Sequence, residues 1–232
     1  LAAGAALSSV NFLLRFLRWH LFLRAAGAFV PLRYSAWIFL SGLAFTITPG
    51  KAGEAVKSVF CLDFGVPYGT TLAIVWLERL FDLLAVAALF SLGMFTLGAS
   101  GWQLGAVVWA ALLGIMGAVH TDLGRRATLR LLRRWQKPLS GWFSELDRIG
   151  ARRLWVPVFL LSAAGWMCEG VAFWWILRNL SVPVGPGFAQ SAYFAATLAG
   201  VFFPGGIGGT EGALVWALSG MAAAPVVAAA VT

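Results

Sequence analysis

The feature that most constrains this chain is a series of apolar stretches long enough to cross a lipid bilayer. A helix needs about 20 residues to span a hydrocarbon core of about 30 Å. Residues 69–97, 102–119 and 154–177 approach or exceed that length, and residues 1–17 resemble the end of another such helix. The sequence therefore predicts an all-α integral membrane protein with several spanning helices.

Composition supports the same class. Hydrophobic residues make up 60% of the 232 residues and charged residues 11%, and the mean hydropathy is +0.85. Soluble domains are about 45–50% apolar and about 25% charged, so an ordinary soluble globule and a disordered chain are excluded. The net charge is +8. Because the basic residues are few and clustered, we expect them to set membrane topology and contact anionic headgroups, and we expect no nucleic-acid partner.

One polar stretch, residues 120–153, is called the basic segment here. It carries nine of the 17 basic residues. The positive-inside rule places it on the cytoplasmic side of the cytoplasmic membrane. Leucines and tryptophans are interleaved with the arginines, which predicts an amphipathic helix lying on the inner leaflet. A solvated loop with incidental apolar residues is the alternative.

Two further apolar segments are short and interrupted. Residues 35–47 stop at Thr-Pro-Gly (48–50) and 53–62 follow; residues 188–203 stop at Pro-Gly-Gly (204–206) and 210–221 follow. Proline cannot continue a helix, and glycine permits a tight reversal. Both segments share Pro-Gly-x-x-Gly followed by a glutamate, and an arginine precedes the proline by 25 residues in one and 26 in the other. We predict an internal repeat within one transmembrane domain (1–232), with copies near 1–98 and 102–232, in a chain that is part of a longer protein.

The charges predict how the two copies lie in the membrane. With the basic segment inside, the first interrupted segment enters from the cytoplasm, in agreement with Arg15, Arg18, Arg24 and Arg33 before it. The second enters from outside, and residues 179–232 hold no lysine or arginine. Inverted copies are typical of transporters, so we expect two re-entrant helical hairpins that meet near the midplane.

Charged residues within apolar segments are candidates for function, because each costs about 2.5–3.5 kcal/mol to insert. They are Lys51, Glu54, Lys57, Glu78, Arg79, Asp82, Glu169 and Glu211. Helical spacing lets Glu54 pair with either lysine and Arg79 with Asp82. Glu169 stands alone at mid-span, where a buried cation is its expected partner. Glu54 and Glu211 each follow the glycines, where a carboxylate either caps a helix or couples to protons or substrate.

Motifs for covalent chemistry are missing from the sequence. Cys61 and Cys168 form no CxxC pair and are interpreted as packing residues, and His20 and His120 lack metal-ligand spacing. No nucleotide loop or nucleophile triad is present. We therefore expect no metal, no cofactor and no enzymatic activity.

Three motifs in order resemble one family over nearly the whole chain. They are TPGKAGEAVK at 48–57, LERLFD at 77–82 and FPGGIGGTE at 203–211. The chain resembles the lysylphosphatidylglycerol synthase transmembrane region, a family of flippase-like membrane proteins. The resemblance implies handling of a lipid at the inner membrane: an aminoacylated phospholipid, or a hopanoid or polyprenyl-linked lipid. Aminoacyl transfer belongs to a separate soluble domain of the bifunctional members and is not carried over.

These observations predict a flippase that passes an anionic headgroup through a cavity between the hairpins while the acyl chains stay in lipid. The expected pathway residues are Pro49, Gly50, Lys51, Gly53, Glu54, Lys57, Glu78, Arg79, Asp82, Glu169, Pro204, Gly205, Gly206, Gly208, Gly209 and Glu211. Two alternatives stay open: a lipid-presenting partner subunit of a membrane lipid or glycan biosynthetic enzyme, and an ion-coupled carrier of a small anion. Whether the protein is a homo-oligomer is also open.

Overall fold

The computed structural model describes residues 2–45, 54–150, 152–201, 203 and 206–219. Within these ranges every regular element is helical, in agreement with the predicted fold class. The helices are α1 (Ala2–Ala25), α2 (Leu32–Ala44), α3 (Lys57–Leu62), α4 (Tyr68–Gly93), α5 (Gly98–His120), α6 (Asp122–Leu131), α7 (Gln136–Ile149), α8 (Trp155–Asn179), α9 (Pro186–Gly200) and α10 (Gly209–Leu218).

In the described part of the chain, two helical stretches are long and apolar enough to cross a membrane, Tyr68–His120 and Trp155–Asn179. The first has 53 residues and would extend about 80 Å if straight, more than twice the hydrocarbon core. A 3₁₀ turn at Met94–Leu97, followed by Gly98 at a φ of +65°, divides it into α4 and α5. The division agrees with the two spans predicted near 69–97 and 102–119.

Helix α1 differs from its prediction, which ended it near residue 17. It continues through Arg18 to Ala25 and packs most extensively against α8. Arg18 is fully buried. Its place after an apolar run predicted a topology signal at the membrane boundary. The side chain turns into the protein and pairs with Asp82, a role that the topology prediction did not assign to it; the topology itself stays a prediction.

The basic segment is largely helical, in agreement with the predicted amphipathic helix and not with the alternative of a solvated loop. In α7, Phe143, Leu146 and Ile149 are buried against α4. This apolar face covers the protein core and is not available to lie on a leaflet. In α6 no residue is buried, and Leu123 and Leu131 are 80% and 84% exposed. The amphipathic pattern therefore has a different outcome in each helix.

Both interrupted segments contain a helix on each side of the predicted break: α2 and α3 in the first, α9 and α10 in the second. The first Pro-Gly motif, residues 48–53, and Pro204 and Gly205 of the second lie outside the described residues. The re-entrant course and the internal repeat therefore stay predictions.

Helix α4 is central to the packing. One apolar cluster joins it to α1 and α7 through Phe22, Leu77 and Leu146. Another joins it to α9 through Phe90 and Phe194. This arrangement brings the charged residues of α4 next to α1, α3 and α8 within the protein.

Candidate functional site

Among the described residues, seven charged side chains from three helices and one turn form a single connected network, called the buried ionic cluster here. None is more than 20% exposed. The members are Arg15 and Arg18 of α1, Glu54 of the 3₁₀ turn before α3, Lys57 of α3, and Glu78, Arg79 and Asp82 of α4. All five members predicted from the apolar segments, Glu54 to Asp82, are brought together.

Asp82 contacts side chains of three helices. Arg18 Nη1 donates to Asp82 Oδ1 at 2.6 Å and also to the Ser162 hydroxyl oxygen. Trp166 Nε1 donates to the same carboxylate oxygen at 3.1 Å, and Arg79 Nη2 lies 3.2 Å from Oδ2. The predicted Arg79–Asp82 pair is confirmed. Asp82 therefore links α1 and α8 to α4.

Lys57 joins the other two carboxylates. Its Nζ donates to Glu78 Oε2 at 3.0 Å and lies 3.5 Å from Glu54 Oε2, which confirms the predicted Glu54–Lys57 pair. The ammonium also lies 4.6 Å from the centre of the Trp19 ring, a cation–π contact. The side chain fits because residue 42 is glycine: a Cβ there would overlap the Lys57 methylenes.

The cluster carries four cations and three carboxylates, so one positive charge is in excess. Arg15 Nη2 lies 3.9 and 4.0 Å from its nearest carboxylate oxygens, too far for a hydrogen bond. Among the described residues, Arg15 Nε, Arg18 Nε and Arg79 Nε are buried without a hydrogen-bond acceptor. Uncompensated cations in a desolvated site are costly unless an anion neutralises them. The electrostatics of the cluster therefore suit an anionic ligand.

Sequence reasoning missed Arg15 and Arg18 as site residues. Asn11, Arg15 and Arg18 are spaced i, i+4, i+7 and lie on one face of α1. That polar stripe on an otherwise apolar helix could have indicated a buried site. Both arginines were instead interpreted as topology signals, because basic residues are common near a membrane boundary.

A cavity of about 310 Å³ opens beside the cluster; it is called the polar cavity here for the charged and hydroxyl side chains in its wall, and the rest of its lining is mostly apolar. Arg79 and Asp82 line it from α4, Tyr193 and Thr197 from α9, and Trp166 from α8. Gly200, Gly206 and Thr210 line its other end. A cavity therefore lies next to the second glycine motif, and the cluster supplies its charged wall. The predicted cavity between two re-entrant hairpins stays a prediction, because the first motif lies outside the described residues.

Local backbone conformation and packing explain why glycine occupies the described positions of the second motif. Gly206 and Gly208 both have a φ of +83°, which other residues rarely adopt. A Cβ on Gly209 would overlap the Phe203 ring. Glu211 Oε2 accepts a hydrogen bond from the Gly208 amide at 2.7 Å, so the carboxylate caps α10. Gly208, Gly209 and Glu211 hold the turn and are not among the cavity-lining residues.

Glu169 lies outside the cluster. Its Oε1 accepts from Asn11 Nδ2 at 2.7 Å, and the Tyr193 hydroxyl lies 3.4 Å from Oε2. Among the described residues no cation forms an ion pair with it, so the expected cationic partner is replaced by an amide and a hydroxyl. Because Tyr193 also lines the polar cavity, Glu169 lies directly behind the cavity wall.

The remaining predicted pathway residues, Pro49, Gly50, Lys51, Gly53, Pro204 and Gly205, lie outside the described residues. Within the described ranges, no three histidine, cysteine, aspartate or glutamate side chains are grouped as a metal site would require.

Comparison with known proteins gives one match. The model of the family described as "Lysylphosphatidylglycerol synthase TM region" matches residues 1–232, the whole chain. No curated protein and no solved structure matches the chain.

Proposed function

Because this chain belongs to the lysylphosphatidylglycerol synthase transmembrane region family, a membrane lipid-related family, we propose that it is a flippase that moves an anionic lipid between the leaflets of the cytoplasmic membrane. The observation that carries the proposal is the excess positive charge of the buried ionic cluster at the wall of the polar cavity. The protein performs no covalent chemistry in this proposal.

The size and lining of the cavity favour a lipid headgroup as its occupant. Its volume lies at the lower end of the range of about 300–1,000 Å³ for ligand sites, which suits a small polar group better than a whole lipid. Arg79 lines the cavity, and guanidinium groups bind phosphate with directed, charge-assisted hydrogen bonds. Asp82 and Glu54 hold Arg79 in place, 3.2 Å from its Nη2.

We place the basic segment on the cytoplasmic side. The clustering of nine basic residues there supports this orientation. The exposed leucines of α6, next to exposed arginines, suit contact with an anionic leaflet. A cysteine introduced at exposed Ser140, in a variant lacking Cys61 and Cys168, tests the orientation. An impermeant maleimide should label it only when the cytoplasmic face is accessible.

Leaflet exchange of fluorescent lipids in proteoliposomes, followed by external quenching, tests the transport. Exchange of an anionic lipid should exceed that in protein-free liposomes and that of a zwitterionic lipid. Arg79→Gln should slow the exchange about tenfold, because a charge-assisted hydrogen bond contributes about 1.5–3 kcal/mol. Arg178→Gln is the matched control, since Arg178 ends α8 outside the cluster and stacks on Trp174.

The same assay separates the alternatives. Equal exchange by Arg79→Gln and Arg178→Gln, with both variants folded, would remove the cluster from the pathway. Exchange of no lipid by the folded protein would favour the lipid-presenting subunit or the small-anion carrier. Co-purification of a lipid or glycan biosynthetic enzyme would support the former. Uptake of a soluble anion would support the latter.

A further inference from the structure

A second cavity of about 870 Å³ lies between α5 and the α9–α10 pair. Its lining is almost entirely apolar: Leu104, Val108 and Leu112 come from α5, and Phe188 and Ala195 come from α9. This cavity is called the apolar groove here. The proposed headgroup pathway does not use it, since that pathway leaves the acyl chains in the bilayer.

The groove lies next to the polar cavity. Leu83 of α4, Leu198 of α9 and Val201 line both spaces, so one wall is shared. A headgroup beside Arg79 lies among α4, α8 and α9, and the chains attached to it must leave through that enclosure. The shared wall places the apolar groove beside the space that the headgroup would occupy.

The groove is also long enough for an acyl chain. Its α5 lining runs from Ser100 to Ile115, 15 residues apart, at intervals that keep to one helix face. At 1.5 Å per residue this is about 22 Å, more than the roughly 15 Å of hydrocarbon in one leaflet. The polar atoms of Thr96 and Ser100 lie at one end only.

We infer that the apolar groove holds one acyl chain of the lipid whose headgroup occupies the polar cavity. The inference rests on the proposed function and changes its mechanism, because one chain then lies against protein while the headgroup crosses. The occupant is an anionic lipid with an acyl chain, since a charged subsite lies next to an apolar one. Van der Waals packing against α5 and α9 supplies the contact, as it does between helices in a membrane.

Photocrosslinking tests the position of the chain without requiring transport. Phosphatidylglycerol with a diazirine in one acyl chain is incorporated with the protein into liposomes and irradiated. Label is expected on groove residues of α5 and α9 and is expected to fall in Ala111→Trp, because the indole occupies the groove. Ala110→Trp is the matched control: Ala110 is exposed one residue away and does not line the groove.

Leaflet exchange then provides a second readout. Ala111→Trp should slow exchange of dioleoyl-phosphatidylglycerol about tenfold relative to Ala110→Trp, the factor carried by about ten lost carbon–carbon contacts. Dihexanoyl-phosphatidylglycerol, whose chains end before the middle of the groove, should be slowed much less.

The outcomes separate this inference from the proposed function. Groove labelling without exchange by the wild-type protein would support the chain site and contradict the flippase. Exchange by the wild-type protein with label spread evenly over the lipid-facing helices, and equal rates for both tryptophan variants, would overturn the groove alone. Crosslinking of residues 220–232 to the groove through paired cysteines, with lipid label excluded, would also overturn it by making that segment the occupant.

Discussion

The buried ionic cluster and the surface ion pairs of the basic segment use similar contacts in different surroundings. Arg18 donates to Asp82 at 2.6 Å, and Arg125 donates to both oxygens of Asp147 at 2.6 Å. The Asp82 side chain is 6% exposed, whereas that of Asp147 is 59% exposed. Water screens the second pair and is excluded from the first. The comparison teaches that burial, and not contact geometry, decides what each pair contributes.

The largest effect is expected from Asp82→Asn. The substitution leaves Arg18 and Arg79 buried beside a neutral amide, and breaking a buried ion pair on one side costs about 3–5 kcal/mol. We therefore expect the free energy of unfolding in lipid–detergent micelles to fall by about that amount, and lipid exchange to be lost.

Asp63→Asn is the control for this substitution, because Asp63 is an exposed carboxylate next to α3. It removes the same formal charge without uncovering a buried cation. If Asp82→Asn and Asp63→Asn lower the free energy of unfolding equally, the buried carboxylate contributes no more to stability than an exposed one.

A double-mutant cycle on Lys57 and Glu78 should show the next largest effect. Lys57→Met alone leaves Glu78 buried without its 3.0 Å partner and should cost about 3 kcal/mol. Glu78→Gln in the same protein removes that stranded charge, so the double variant should be less destabilised than the sum of the single variants. A coupling of at least about 1 kcal/mol is expected. Additive effects would show that the pair is not energetically linked.

The sequence predicted the members of the cluster on α4 better than those on α1. Glu78, Arg79 and Asp82 stand in an apolar run, where a charge has no other explanation. Arg15 and Arg18 stand near the end of an apolar run, where flanking arginines are ordinary. The excess positive charge depends on all four cations, so it could not be predicted before α1 was placed beside α4.

The basic segment shows a second limit of sequence patterns. The alternation of leucines and arginines predicted amphipathic helices, and the structure contains α6 and α7. The pattern does not specify what the apolar face covers. Phe143 and Leu146 are buried in the core because α7 packs against α4, whereas Leu131 of α6 is exposed.

Substitution of Glu169 should lower the free energy of unfolding by an amount between those expected for the buried ionic cluster and for the surface ion pairs. Glu169 is partly buried but has hydrogen-bond donors in place of a cation. Glu169→Gln keeps an acceptor for Asn11 Nδ2 and exchanges a charged hydrogen bond for a neutral one, a change of about 1 kcal/mol in the free energy of unfolding. Glu169→Leu, which removes the acceptor, should cost more. A loss for Glu169→Gln as large as that for Asp82→Asn would reveal a cationic partner for this carboxylate.

The smallest effect is expected from Asp147→Asn. The two hydrogen bonds from Arg125 lower the pKa of Asp147 below its usual range, so the charged carboxylate favours the folded state. This stabilisation is fully present above the unfolded-state pKa of about 3.9 and is lost as the pH falls through the lower pKa of the folded protein. At pH 7 the wild-type protein should exceed Asp147→Asn in free energy of unfolding by only about 0.5 kcal/mol, because the pair is exposed. The difference should shrink toward zero in acid and at high salt. A difference as large as the one for Asp82→Asn, or one that does not depend on salt concentration, would contradict this prediction. It would mean that the basic segment is shielded from water and that the two regions do not differ in this respect.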